Sequence, residues 1–284
     1  MDIKTKMLIS ALKVLPKNQI SWGFGKIAST KLPKPINKFV IKNFASLYKI
    51  DVSEAEFPIE NYNSLNHFFT RRLKSDKRPI VKDKNLLASP ADSKVSQFGK
   101  IEKDKLIQIK GKYYTLESFL KDKPYSDRFY NGSFSTLYLS PQDYHRVHAP
   151  LDVEVVGYNY IKGKLFPVNS ISVENIPELF SINERVVFKL RNSEIGEFAL
   201  IMVGATNVGS ISLSFEDLTT NKLIQEGVEK TIIEPIKIKK GEELGVFNMG
   251  STVILVFPEN KVKFDKFFSN KKLKMGEEIA SIIK

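Results

Sequence analysis

Residues 245–257 read Gly245-Val246-Phe247-Asn248-Met249-Gly250-Ser251-Thr252-Val253-Ile254-Leu255-Val256-Phe257. The second half, Thr252–Phe257, carries no charge and is dominated by β-branched and aliphatic residues. Such a run predicts a strand, held by its hydrogen-bond ladder and by burial. Gly250 before Ser251 allows a sharp backbone bend at the head of that strand. Taken alone, the pair is an ordinary turn.

Working outward, the same character extends back to about residue 85. Short β-branched and aromatic runs alternate with Gly, Pro, Asn and Asp. Strands are expected at Ser133–Leu139, Val153–Tyr160, Arg185–Leu190, Phe198–Val203 and Ser210–Phe215, with one short helix at Leu116–Leu120. Before residue 80 the pattern is helical. Pro35 opens one helix with Ile36, Phe39, Val40, Phe44 and Leu47 as its apolar face. Asn63 or Ser64 caps another, with Leu65, Phe68, Phe69 and Leu73 at helical spacing. The expected class is α+β: a basic helical segment (1–80) on a mainly antiparallel β-sandwich or barrel-like core (81–284). Gly241-Glu242-Glu243-Leu244-Gly245 is echoed by Gly276-Glu277-Glu278-Ile279-Ala280, and each copy reads as a tight turn. They could be paired hairpins of one sandwich or barrel.

The chain has 284 residues, a net charge of +12 and no cysteine, which excludes disulfides, thiolate zinc sites and cysteine nucleophiles. Residues 1–50 hold ten lysines against Asp2 alone, +9 of the +12. Met7, Leu8, Ala11, Leu12 and Leu15 share one helical face, with Lys6, Lys13 and Lys17 opposite. This predicts an amphipathic basic helix over 4–17, which either packs on its own domain or lies in a bilayer interface. No run reaches the ~20 apolar residues of a spanning helix, and no signal-peptide cleavage pattern follows the first apolar stretch.

Three histidines are present. Two fall in Tyr144-His145-Arg146-Val147-His148-Ala149-Pro150. On a helix, His145 and His148 would share a face and could bind a metal; on a strand or loop they could do two different jobs. Pro150 argues against a long helix, and no third ligand is near, so no metal is expected. His67 reads as structural. Asp92 lies in the turn Ser89-Pro90-Ala91-Asp92. Asp92, His148 and Ser251 together make a coherent set, in which His takes the serine proton and Asp fixes the His tautomer.

At these residues the chain resembles the pyruvoyl-dependent phosphatidylserine decarboxylases. The likeness is carried by Phe68-Phe69-Thr70-Arg71-Arg72-Leu73-Lys74 with Arg78-Pro79-Ile80, by Ser89-Pro90-Ala91-Asp92, and by the two-histidine block. It continues through Gly163-Lys164-Leu165-Phe166-Pro167-Val168-Asn169, Asn183-Glu184-Arg185-Val186-Val187, Val203 to Ile211, and Met249-Gly250-Ser251-Thr252. Ser93 and Leu151-Asp152-Val153 stand where the family commonly has glycine.

The resemblance implies self-cleavage between Gly250 and Ser251 by Asp92, His148 and Ser251. The products are chains 1–250 and 251–284. Ser251 becomes a covalent pyruvoyl cofactor that forms a Schiff base with the substrate amine. His145, with an ordinary pKa near ~6.5, is the implied proton donor in decarboxylation. The implied partners are the anionic lipid, the membrane surface and the chain's own two pieces; a homodimer is compatible with this, and no nucleic acid is expected. The implied location is peripheral, at the cytoplasmic face of the cell membrane. Two other readings are weaker. A lipoyl- or biotinyl-type carrier could be modified at Lys274, and a related pyruvoyl enzyme could act on another amine-bearing acid.

Overall fold

A computed structural model of the chain describes residues 15–109, 111–206, 210–221, 226–248 and 252–283. Three helices come first: α1 (Lys17–Ser29), α2 (Lys34–Tyr48) and α3 (Leu65–Phe69). Pro35 sits in the first turn of α2, and the Ser64 hydroxyl caps α3 by accepting the His67 N–H at 3.1 Å. The helix predicted over 4–17 falls mostly outside the described residues. The helix that is described, α1, holds Trp22 and Phe24 and was not anticipated. Lys17 is not on a solvated face. It is buried, its Nζ lies 4.3 Å over the Phe166 ring, and burial lowers its pKa.

The first strands are β1 (Leu86–Ala88), β2 (Ser93–Lys100), β3 (Lys105–Ile109) and β4 (Lys112–Thr115). The short helices α4 (Leu116–Leu120) and α5 (Lys123–Ser126) lead to β5 (Ser133–Tyr138), β6 (Arg146–His148) and β7 (Val153–Ile161). Helices α6 (Ser170–Asn175) and α7 (Leu179–Ile182) precede β8 (Arg185–Asn192), β9 (Gly196–Val203), β10 (Ser210–Leu213) and β11 (Val228–Ile238). The chain closes with β12 (Glu243–Asn248), β13 (Thr252–Phe257), β14 (Val262–Lys263), β15 (Lys272–Leu273) and β16 (Glu278–Ile282).

The class is α+β with antiparallel sheets, as expected. The main sheet has the order β11-β7-β8-β9-β13-β5-β2-β15 and stays open, so it is not a barrel. Its interior strand β13 pairs with β5 and β9, and all six of its residues are buried. That is why an uninterrupted apolar run was legible there: both faces are covered. A second sheet, β10-β12-β6, lays the histidine strand against β12. Residues 249–251 therefore join two sheets, with β12 ending at Asn248 and β13 starting at Thr252. Among the strands that went unread, β2 and β11 are interrupted by Lys, Glu, Gln or Pro, and β1, β6, β14 and β15 are only two or three residues long.

The two Gly-Glu-Glu turns are equivalent in the structure. Gly241 and Gly276 have φ of +84° and +90°, values that favour glycine. A Cβ on either would meet Ile80 Cδ1, at 2.9 and 3.0 Å, so one side chain wedges between both turns.

Candidate active site

His148 lies at the end of β6, across from Glu243 of β12. Its ring is buried, with Nδ1 2.8 Å from the Gly241 carbonyl and Nε2 3.2 Å from the Tyr144 hydroxyl. A carbonyl only accepts, so Nδ1 carries the proton and Nε2 presents its lone pair to the Tyr144 O–H. Burial lowers the His148 pKa and Arg146 adds to that, while the Gly241 carbonyl, Glu243 and Asp92 pull the other way. The ring is held neutral at neutral pH in the tautomer a general base needs.

Asp92 does not supply that orientation. Its Oδ1 accepts from Arg78 Nε and from the Met275 N–H, both at 2.8 Å, and its Oδ2 accepts from Arg78 Nη2 at 2.6 Å. Arg78 also donates to Glu54, at 3.1 and 2.8 Å. Burial works against the Arg78 charge, but the bonds to Asp92 and Glu54 outweigh it and raise its pKa. The structure brings Asp92 into the electrostatic neighbourhood of His148 and leaves the hydrogen bond to His148 with Gly241.

His145 is fully buried, and its ring packs on Phe69 with centroids 4.0 Å apart. Neither ring nitrogen has a hydrogen-bond partner; the nearby Asp143 backbone offsets a little of this without completing a bond. Burial, then the Arg71 charge, lowers its pKa to about 3. The expectation of an imidazole titrating near neutrality therefore fails: at neutral pH this ring has one N–H and no charge. Arg71 is itself buried, donates through Nη2 to the Gln142 carbonyl at 3.2 Å, and has unpartnered Nε and Nη1. Asp143 is pushed up to about 6, chiefly by burial. His67 accepts the Asn63 N–H through Nδ1 and meets the Tyr62 ring edge to face, a structural placement.

Ser251 and Gly250 lie outside the described residues. Their neighbour Thr252 borders a cavity of about 420 Å³, also lined by Thr136, Tyr138, Lys94, Asn169 and Ser170. The Thr252 hydroxyl is buried and unpartnered there. Among the described residues no group of three or more His, Cys, Asp or Glu could hold a metal ion.

Sequence reasoning singled out His145, His148 and Asp92 but missed Tyr144, Gly241 and the role of Arg78. Tyr144 and Arg78 stood inside the quoted blocks. Only the position of Tyr144, four residues before His148, hinted at a contact. The Gly241 carbonyl is a backbone atom and leaves no mark in a residue pattern.

A second exposed feature lies on α2. Ile41 and Ala45 are buried, whereas Ile36, Phe39 and Leu47 face outward, Phe39 and Leu47 at 68% and 74% exposure. The apolar face read from the sequence is therefore not the buried one: Ile36, Phe39 and Leu47 are exposed, Val40 and Phe44 are half-buried, and the buried side is Asn37, Ile41 and Ala45. On α1, Ile27 is likewise 73% exposed. Among the described residues no helix is long and apolar enough to cross a membrane.

The family model described as phosphatidylserine decarboxylase matches residues 65–281. A phosphatidylserine decarboxylase proenzyme of Brevibacillus brevis is 38% identical over 278 residues, covering 97% of this chain and 98% of the relative. One from Aliivibrio salmonicida is 42% identical over 263 residues, 90% of each chain. One from Actinobacillus pleuropneumoniae is 40% identical over 256 residues, 88% of this chain and 86% of the relative. The fold, the pairing of the His148 strand with β12 and these matches agree, and the chain belongs to the phosphatidylserine decarboxylase family of carboxy-lyases.

Proposed function

We propose that this chain converts phosphatidylserine to phosphatidylethanolamine and carbon dioxide at a membrane surface, after cutting itself between Gly250 and Ser251. One observation carries the reading. β6, which ends at His148 and follows directly on His145, pairs with β12, which leads within three residues to Ser251.

In the first stage His148, neutral and with its lone pair on Nε2, removes the Ser251 hydroxyl proton. The serine oxygen attacks the Gly250 carbonyl, and the peptide bond becomes an ester. β-Elimination of the ester then frees residues 1–250 with a carboxylate end and leaves dehydroalanine, whose imine tautomer takes up water and loses ammonia to become the pyruvoyl group. Arg78 holds Asp92 by a two-bond ion pair, and the Asp92 carboxylate favours the His148 imidazolium that forms. The piece 252–257 stays bound because β13 is paired on both edges and buried on both faces.

In the second stage the pyruvoyl group supplies an electron sink for the pair released with carbon dioxide. Its place fits the chain, since Thr252 offers an unpartnered buried hydroxyl beside a cavity of about 420 Å³. His145 relays the returning proton: one ring nitrogen gives its N–H while the other takes up a proton, so the imidazole stays neutral. The exposed stripe Ile36, Phe39 and Leu47 on α2, flanked by Lys42 and Lys49, meets the bilayer.

The test is conversion of phosphatidylserine in vesicles, followed as phosphatidylethanolamine formed and carbon dioxide released. Activity that disappears in Ser251→Ala supports the reading. Inactivity on the lipid with turnover of a free amine-bearing acid moves the chain to a related decarboxylase.

A further inference from the structure

The two Gly-Glu-Glu turns belong to two equivalent arms. In one arm Ser89 N–H donates to the Glu277 carbonyl at 2.7 Å, and Gly276 N–H donates to the Ser89 carbonyl at 3.0 Å. In the other, Ala149 N–H donates to the Glu242 carbonyl at 2.8 Å, and Gly241 N–H donates to the Ala149 carbonyl at 2.8 Å. Lys274 N–H is bound by the Glu277 carboxylate and Lys239 N–H by the Glu242 carboxylate, at 3.1 and 2.8 Å. The arms exchange a pair of bonds: Ala88 N–H to the Pro150 carbonyl at 2.9 Å, and His148 N–H to the Pro90 carbonyl at 2.8 Å.

The correspondence extends to the aspartates. Asp92 Oδ1 accepts the N–H of Met275, the residue before Gly276. Asp152 Oδ1 accepts the N–H of Lys240, the residue before Gly241, at the same 2.8 Å. Ser89-Pro90-Ala91-Asp92 and Ala149-Pro150-Leu151-Asp152 are thus one repeated element. Asp92 therefore clamps the arm opposite to the one that holds His148. The arm that orients His148 has its own aspartate.

We infer that Asp152 and Tyr144 are the positioning residues of His148: Asp152 fixes the turn that brings the Gly241 carbonyl to Nδ1, and the Tyr144 hydroxyl holds Nε2. This rests on the proposed self-cleavage for its kinetic consequences and on geometry alone for the tautomer. The ring of Tyr144 also stacks on that of His148, with centroids 5.5 Å apart and planes 27° from parallel. The imidazole is therefore held at both nitrogens and one face. The charged and titratable groups that act on it are Glu243 and Arg146 from the paired strands, Asp92 from the other arm, and Tyr144 itself, whose own pKa is raised to about 12.

The tautomer is read by nitrogen NMR of the three histidine rings in full-length Ser251→Ala. His148 is expected as the Nδ1–H form. In the Asp152→Ala background the two tautomers should mix, and Asp152→Asn, which keeps an Oδ1 acceptor, should restore the single form. The same variants with Ser251 intact are followed for cleavage against pH. Asp152→Ala should slow the plateau rate by roughly tenfold, the scale at which an outer partner of a working imidazole acts, and Asp152→Asn should recover it. Tyr144→Phe keeps the ring but removes the donor that favours a free lone pair, so its cleavage midpoint should move to higher pH. A merely structural role would impair Asp152→Ala and Asp152→Asn alike and leave the Tyr144→Phe midpoint unmoved. Either result, or an Nε2–H form of His148 in Ser251→Ala, overturns the inference. A wild-type chain that never cleaves would instead sink the proposed function, and the NMR arm would still decide this one.

Discussion

Arg78 grips both carboxylate oxygens of Asp92, with Nε to Oδ1 at 2.8 Å and Nη2 to Oδ2 at 2.6 Å. Both side chains are buried, and Glu54 closes the far side of the guanidinium. Removing the cation would leave Asp92 charged and uncompensated. Arg78→Met is expected to cost about 3 kcal/mol of stability, the scale for breaking one side of a buried pair. It should also slow self-cleavage, because an Asp92 released from Arg78 no longer holds its carboxylate where it favours a charged His148. Urea unfolding of the variant in the Ser251→Ala background reads the first effect. The cleavage rate with Ser251 intact reads the second.

Acid and base should act on Asp143 and His145 in opposite senses. The Asp143 pKa is raised from its ordinary 3.8 to about 6, so its contribution to stability is full below 3.8 and lost as pH rises through 6. His145 falls from 6.5 to about 3, so the unfolded chain binds the extra proton and stability is lost as pH drops from 6.5 toward 3. Asp143→Asn removes only the first effect. Its melting temperature should exceed that of the wild type at pH 8, and the gain should vanish by pH 4. A constant difference across that range would contradict the assignment.

Arg185 is fully buried without a carboxylate partner. It donates to four carbonyls: Phe119 at 2.6 Å, Ser181 at 2.7 Å, Asn183 at 2.8 Å and Ser118 at 3.0 Å. These tie β8 to α4 and to the end of α7. Its pKa is lowered to about 9 by burial. Arg185→Met leaves those carbonyls short of donors, and a loss of about 3 kcal/mol or more is expected in chemical unfolding. Arg185→Lys should recover only part, since an ammonium offers three donors rather than five.

The outward stripe of α2 gives a membrane prediction. Burying two large apolar side chains contributes about 3 kcal/mol, so Phe39→Ser with Leu47→Ser should weaken vesicle binding roughly a hundredfold. The folded core should be untouched, because Ile41 and Ala45 face the other way. Sedimentation with anionic vesicles measures it, and high salt should weaken wild-type binding further through the lysines.

The fold was legible wherever burial and periodicity coincide. β13 stood out because both its faces are covered, and α4 because its apolar residues cluster over a single turn. β2 and β11 lie toward the sheet edges and carry Lys, Glu and Gln, so their pattern never separated from loop. The apolar face of α2 misled for a physical reason: its largest apolar residues, Ile36, Phe39 and Leu47, are exposed, and the helix packs inward through Asn37, Ile41 and Ala45 instead. At the site, residue types were readable and bonds were not. His145, His148 and Asp92 could be picked out by chemistry. That Asp92 turns to Arg78, and that a backbone carbonyl holds His148, depends on contacts 14 and 93 residues apart in the chain.

The most direct test is the intact mass of the purified chain under denaturing conditions. The account predicts two species: residues 1–250, and residues 251–284 with the serine replaced by a pyruvoyl group that blocks the N-terminus. In Ser251→Ala a single full-length mass should remain. A single full-length mass from the wild type, unchanged by incubation with phosphatidylserine vesicles, would contradict the account.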